Sequence, residues 1–441
     1  MIYRIIFFMA MGVAYGTCQA QDFKWDPSVA GILDSLAQSD VPEGAPGVAL
    51  GVVVDGKVVY EQYAGFANLK SEAPISGTSR FNIASNGKQF TALAVLLLAH
   101  EGKLALEDDI RQYFPELFPN IADTISIASL LHHTSGIRDY YSLHSLQGKV
   151  WWREKLDNQD VLDLIRQQED LNFTPGSQHV YSNSNYILLA ELVGKVSGQP
   201  FTEYTKSLFQ QLGMPHTAFV SDYHDIAEPI ARPYFNFKTW KGYDWTCSIH
   251  GDGNLFSTLP DQMRWEQVVQ TGKAPGIPEA VLRQSQLLEA DTSVTTYGYG
   301  LEFSTYRNLP YRYHEGGTGA WKAIMMRFPE QNMSLITLTN SGKVAPTYLA
   351  NAAADGVLGF AKGSNDYPIA PSDPAPPATL EAVVGVYQTQ SGYTYTLEQR
   401  DTSLFLLRNG RNDIRLVRES GHVFHQWNDP TFKQEFRAWS V

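Results

Sequence analysis

Ser85 and Lys88 stand three residues apart at the head of an apolar run from Phe90 to Ala99. On a helix that spacing places both side chains on one face, one turn apart. A serine hydroxyl is a poor nucleophile until something takes its proton. A lysine can take it when burial or a cationic neighbour lowers its pKa. A helix N-terminus adds partial positive charge and free N–H groups beside the serine. These are the parts of an acyl-transfer site. By itself the pair reads more readily as a capping serine and a solvated lysine, so the rest of the chain decides.

Two other stretches carry polar groups suited to the same chemistry. Tyr181-Ser182-Asn183 precedes a helix predicted from Tyr186 to Val196, and His314-Glu315-Gly316-Gly317 follows a strand predicted near 299–303. Metal and nucleotide chemistry find less support. The pair His132-His133 has no third ligand at metal spacing and reads as a structural turn, and His314-Glu315 lacks the second histidine of a zinc helix. Gly251-x-Gly253 and Gly316-Gly317-Thr318-Gly319 lack the downstream pattern of a phosphate loop. No metal and no organic cofactor is expected.

The elements that must position these residues follow from hydrophobic periodicity. A helical pattern lies within 23–45. Val48 to Val54 and Lys57 to Tyr63 flank Asp55-Gly56 as a hairpin. The Phe90–Ala99 run is apolar nearly all round, as a buried helix would be. Helices are predicted at 157–168, 201–211 and 260–271, strands at Ala320–Phe328 and Met333–Thr339, and a closing helix at Ala345–Leu358. The sheet is thus discontinuous, with a mostly helical insert of roughly 85–295 between its parts. A cleft between sheet and insert is the expected site.

The 441 residues exceed one average domain. Five prolines lie within 363–378, a predicted linker, and about six short β-runs follow it. The expected organisation is a signal peptide over 1–20, a main domain over 21–362, that linker, and a small all-β, barrel-like domain over 379–441. The N-terminus has one charge, Arg4, then an apolar run from Ile5 to Ala14 and a small residue at Ala20. Removing it takes the formal charge from −12 to −12 − 1 = −13. Acylation of Cys18 as a lipoprotein fits less well, because Tyr15-Gly16-Thr17 is a poor lipobox. Without Cys18, Cys247 stands alone and no intrachain disulfide is expected. The negative balance argues against nucleic acid or an anionic membrane as partner. No run after the N-terminus is suited to a transmembrane helix, so a periplasmic or secreted protein is expected.

Ser85-x-x-Lys88, Tyr181-x-Asn183 and His314-Glu315-Gly316, taken in that order, resemble the three motifs of the penicillin-recognising serine hydrolases. These are class C β-lactamases, D-alanyl-D-alanine carboxypeptidases, D-aminopeptidases and related esterases. Pro46-Gly47, Leu130-Leu131-x-His133-Thr134-Ser135-Gly136 and Ser257-Thr258-x-x-Asp261 also look like that family, and the resemblance covers roughly 40–360. It implies an α+β, β-lactamase/transpeptidase-like fold: an antiparallel sheet with flanking helices and a helical insert. It implies that Ser85 forms an acyl-enzyme while Lys88 and Tyr181 move its proton. Asn183 would hold Lys88 and donate to the substrate amide. The main-chain N–H groups of Ser85 and Gly317 would form the oxyanion hole, with Gly316 and Gly317 letting substrate lie close. His314 stands where relatives carry lysine and, with an ordinary pKa of about 6.5, offers less charge to a carboxylate. The expected activity is hydrolysis of a D-amino-acid peptide, amide or ester. The alternatives are a β-lactamase or D-Ala-D-Ala carboxypeptidase, a penicillin-binding sensor without turnover, and an acyltransferase. The expected partner is a small-molecule or peptide substrate, and oligomeric state is open.

Overall fold

Val48–Val54 is a run of β-formers whose side chains alternate between two cores, and every residue in it is buried. Val48, Leu50, Val52 and Val54 join one apolar cluster, and Ala49 and Val53 join another. Burial on both faces explains why the run is continuously apolar rather than alternating with polar residues. A computed structural model describes residues 25–149 and 154–360, and, towards the C-terminus, 380–388, 394–407, 413–420, 423–426 and 429–435.

The main sheet has strands β1 (Val48–Val54), β2 (Lys57–Ala64), β3 (Glu302–Tyr306), β4 (Leu309–Thr318), β5 (Trp321–Phe328) and β6 (Met333–Thr339). Its order is β3-β4-β5-β6-β1-β2, antiparallel throughout. Between β2 and β3 lies the helical insert anticipated from the sequence. One face of the sheet packs against the helices Ala30–Ser39 and Pro346–Leu358, through Leu33, Leu349 and Ala353. The other face meets the insert, with Leu259 and Met263 of the helix Leu259–Thr271 packed against β1. A Cβ on Gly51 would lie 2.7 Å from the Met263 sulfur, so the helix approaches as far as a bare glycine allows.

The strand expected at 299–303 is a correction. It runs instead over Glu302–Tyr306 and turns into β4 at Arg307-Asn308, where both residues adopt positive φ (47° and 63°). Non-glycine residues at both turn positions hide this hairpin from a search for Asn-Gly or Asp-Gly. The six C-terminal β-runs form an antiparallel six-stranded meander in chain order. It has an apolar cluster of its own, built on Val383, Leu397, Leu404, Leu406, Leu416 and Phe424. The signal peptide at 1–20 and the linker at 363–378 lie outside the described residues.

Candidate active site

Ser85 lies in the 3-10 turn Ala84–Gly87, which runs directly into the helix Lys88–His100. That helix is buried from Lys88 through Leu98, as a run apolar nearly all round from Phe90 onward leads one to expect. Ala84, next to the serine, has φ +48°, and its N–H donates to the side-chain oxygen of Asn82 at 3.0 Å. A non-glycine residue in this conformation is costly and needs such support.

Lys88 is fully buried. Its Nζ lies 3.0 Å from Ser85 Oγ, 2.8 Å from Asn183 Oδ1 and 2.5 Å from the Asp252 carbonyl. An ammonium has three protons to give, and all three contacts take one. Burial pushes the lysine down to about 8, while the carboxylates of Asp252 and Asp139 pull the other way.

Asn183 opens the helix Asn183–Ser197, and its orientation is set from both sides. Asp139 Oδ2 accepts from the Asn183 main-chain N–H at 2.6 Å and from its Nδ2 at 2.9 Å. A carboxylate accepts and an ammonium donates, so Oδ1 must face Lys88. One of the two amide hydrogens that the resemblance assigns to substrate is therefore already committed to Asp139.

The Tyr181 ring centroid is 4.9 Å from Lys88 Nζ. Desolvation holds that phenol well above its ordinary pKa, so at neutral pH it is a protonated donor and not a phenolate. The ring rests on His133, with centroids 4.3 Å apart. His133 Nδ1 accepts from the Ser182 N–H at 3.2 Å, which fixes the main chain beside Tyr181. His132 Nδ1 pairs with the Tyr297 carbonyl at 3.0 Å. The histidine pair is thus structural, and no group of three or more metal-ligating side chains occurs among the described residues.

His314 departs from the sequence expectation. It is buried, its Nδ1–H donates to the Glu315 carbonyl at 2.6 Å, and its Nε2 accepts from the Tyr297 hydroxyl at 2.8 Å. Desolvation and the nearby Lys88 push its pKa to about 3 rather than leaving it near 6.5. The ring is neutral and both nitrogens are occupied. Glu315 points the other way, as strand alternation predicts, and accepts from Thr347 Oγ1 at 2.7 Å.

The two glycines of this motif differ. A Cβ on Gly316 would sit 2.0 Å from the Ile83 carbonyl oxygen, so this residue lets β4 lie against the Ser85 turn. A Cβ on Gly317 would meet nothing within 4 Å, consistent with open space where substrate can approach. Strand β3 pairs with β4 only as far as Tyr313, so β3 leaves the edge of β4 uncovered from His314 onward. Ser85, Lys88, Tyr181, Asn183, His314 and Gly316 are thus brought together, with Gly317 on the open edge. Sequence reasoning missed Asp139, Asp252 and Tyr297. Only Asp139 had a local signal, as the side-chain cap of the helix Tyr140–Leu146.

A family model described as Beta-lactamase matches residues 33–358. The chain belongs to that family. It is similar to Penicillin-binding protein 4* of Bacillus subtilis, at 28% identity over 83% of this chain and 84% of that protein. It is 35% identical to Protein flp of Staphylococcus aureus over 70% of its own length, and the match spans 62% of that relative. Its fold resembles a D-stereospecific amidohydrolase from Streptomyces sp., with TM-score 0.61, 20% identity, and coverage of 76% of this chain and 100% of the other. These findings place the chain among the penicillin-recognising serine hydrolases, with a β-lactamase/transpeptidase-like fold.

Proposed function

We propose that this family member hydrolyses a D-amino-acid peptide, amide or ester through an acyl-enzyme on Ser85. The observation that carries the reading is the set of partners around Lys88 Nζ. The Asn183 Oδ1 and the Asp252 carbonyl can only accept, whereas the Ser85 hydroxyl can also donate. When Lys88 loses a proton, its lone pair therefore has one direction to face, and Ser85 lies there. With its pKa brought down to about 8, the amine is available as a base near neutral pH.

In acylation the bond from Ser85 Oγ to the carbonyl carbon forms, and the serine proton passes to Lys88. The bond to the leaving nitrogen or oxygen then breaks, and that atom receives a proton by way of the protonated Tyr181 phenol. Water attacks the ester and regenerates Ser85. The main-chain N–H groups of Ser85 and Gly317 face the developing oxyanion. No metal or cofactor takes part in this scheme.

The neutral, fully occupied His314 supplies no fixed cation for a substrate carboxylate. That disfavours penicillins and carboxy-terminal D-Ala relative to esters and amino-terminal D-residues. The amidohydrolase of similar fold is consistent with this choice. Export to the periplasm or beyond is proposed from the signal-like pattern of residues 1–20. Among the described residues, no helix is long and apolar enough to cross a membrane.

The test is a screen of the purified protein against D-aminoacyl amides, D-Ala-D-Ala peptides, p-nitrophenyl esters and a chromogenic cephalosporin, with Ser85→Ala beside the wild type. Turnover of D-aminoacyl amides or esters, and loss of both turnover and phosphonate labelling in Ser85→Ala, is the expected result. Equal labelling of both proteins would refute the nucleophile. Cephalosporin hydrolysis with kcat/KM of roughly 10⁴–10⁸ M⁻¹s⁻¹ would refute the substrate preference. A burst without steady turnover would identify a sensor, and product formed only with an added amine or alcohol would identify an acyltransferase.

A further inference from the structure

Segment 251–254 lacks the pattern of a phosphate loop, yet it touches both members of the Ser85–Lys88 pair. On one side the Asp252 carbonyl accepts from Lys88 Nζ at 2.5 Å, and the Gly251 carbonyl accepts from Thr91 Oγ1 at 2.6 Å. These bonds fix the segment to the nucleophile helix. On the other side a Cβ on Gly253 would lie 3.3 Å from the Ala84 carbonyl carbon, so the segment runs close beside the residue before Ser85.

Asn254 closes this segment. It is only 5% exposed and its backbone is left-handed, at φ +55°, a conformation that asparagine takes more readily than most residues. Its Nδ2 donates to the Val220 and Cys247 carbonyls at 2.8 and 3.1 Å. Its Oδ1 accepts from Trp245 Nε1 at 2.8 Å and from Asn82 Nδ2 at 3.1 Å. A side-chain amide has two N–H protons and two lone pairs on oxygen, and here all four are used. Carbonyls only accept and an indole N–H only donates, so a flipped amide would set like against like on both sides.

That orientation is passed on. Asn82 is fully buried, and with its Nδ2 turned to Asn254 its Oδ1 is left to accept from the Ala84 N–H at 3.0 Å. Ala84 has φ +48°, which is disfavoured for any residue with a Cβ. The peptide plane after Ala84 carries the Ser85 N–H, so the Ala84 dihedrals aim that group. We propose that Asn254 is a positioning residue for acyl transfer: by fixing the orientation of Asn82 it holds Ala84 in its left-handed turn, and so aims the Ser85 N–H at the oxyanion. The same segment holds Lys88 through the Asp252 carbonyl, so nucleophile and base share one support.

The inference rests on Ser85 being the nucleophile. It is tested by kcat and KM for a p-nitrophenyl ester, per site titrated with a fluorophosphonate, in wild type, Asn254→Gly, Asn82→Ala and the double variant. Glycine keeps the positive φ at position 254 accessible. A misaimed donor weakens the transition state more than the ground state. Each single variant should therefore lower kcat roughly 10- to 100-fold, with KM within about threefold of wild type. The double variant should lose no more than the worse single one, because both act through Ala84. Losses that multiply in the double variant overturn the proposal. So does an unchanged kcat per titrated site with only a lower melting temperature, the mark of a merely structural role.

A rescue separates aim from general damage. Adding Ala84→Gly to Asn254→Gly supplies a residue that takes positive φ at no steric cost, and it should return at least about fivefold of the lost kcat. No recovery is the contrary result. Asn254→Ser replaces a glycine variant that does not fold, since its hydroxyl is too short to span Asn82 and both carbonyls. If neither folds, the same rescue in Asn82→Ala decides. Amide exchange of Ala84, read by NMR of alanine-labelled protein, reports the relay apart from activity. It should quicken about tenfold or more in the Asn254 variant, and unchanged exchange would refute the relay. A wild type that neither labels nor turns over refutes the acyl-transfer reading instead, while the exchange still decides whether Asn254 sets the Ala84 contact.

Discussion

The Tyr297 hydroxyl donates to Nε2 of His314 at 2.8 Å, and this contact closes the imidazole to substrate. The other ring nitrogen is spent on the Glu315 carbonyl. A residue that reads in the sequence as a titrating, substrate-facing histidine is instead a neutral packing group.

That change of role has a sign in stability. The ring titrates near 6.5 in the unfolded chain and at about 3 in the folded one. Between those values the unfolded state binds the extra proton, so stability rises with pH across that window. It is complete above about 6.5 and lost as the pH falls towards 3. From pH 7 to pH 5 this histidine should cost roughly 2 kcal/mol of unfolding free energy. Urea denaturation of wild type and His314→Gln measures it, and an unchanged pH slope in the variant would be the contrary result. The same substitution should leave the position of the activity limbs between pH 5 and 7.5 unmoved.

Gly316 and Gly317 should respond oppositely to one methyl group. Gly316→Ala forces a Cβ onto the Ile83 carbonyl, which is main chain and cannot swing aside. We expect a loss of about 2–3 kcal/mol and a slowed phosphonate reaction, because the Ser85 turn must shift. Gly317→Ala meets open space and should change stability by no more than about 0.5 kcal/mol, while raising KM for bulky substrates. Paired melting curves and kinetics distinguish the two, and equal destabilisation would contradict the assignment.

Behind the nucleophile, Arg327 and Glu266 form a buried ion pair at 2.7 Å. Arg327 also donates to the side-chain oxygens of Gln89 and Gln286, each at 2.7 Å, and so bridges β5 to the residue after Lys88. Glu266→Gln leaves the arginine charge buried without its anion and should cost about 3–5 kcal/mol. The double variant Glu266→Leu/Arg327→Met should recover much of that loss. Denaturation midpoints report both, and a double variant no better than the single would show that the pair itself supplies the stability.

The C-terminal meander should be dispensable for acylation. All the candidate site residues precede Phe360, and the meander packs its own apolar cluster. A chain ending at Phe360 should label at Ser85 within about threefold of the full rate, a difference of less than 1 kcal/mol. A folded truncation that does not label would place the meander in the site.

The order of the three motifs, the β1–β2 hairpin, the buried nucleophile helix and the six C-terminal strands were all legible in the sequence. Each rests on contacts between near neighbours, where periodicity and turn residues suffice. The β3–β4 hairpin was not, because Arg307 and Asn308 adopt positive φ without a glycine to announce it. The charge states of the site lay further from reach. Whether Lys88 sits near 8 and His314 near 3 depends on how much water the surrounding chain excludes and which anions face them. Those groups come from residues as distant as Asp139, Asp252 and Tyr297. Residue type and spacing therefore specified which atoms could do chemistry. Only packing decided which of them carry protons, because desolvation sums over neighbours that adjacency in the chain does not reveal.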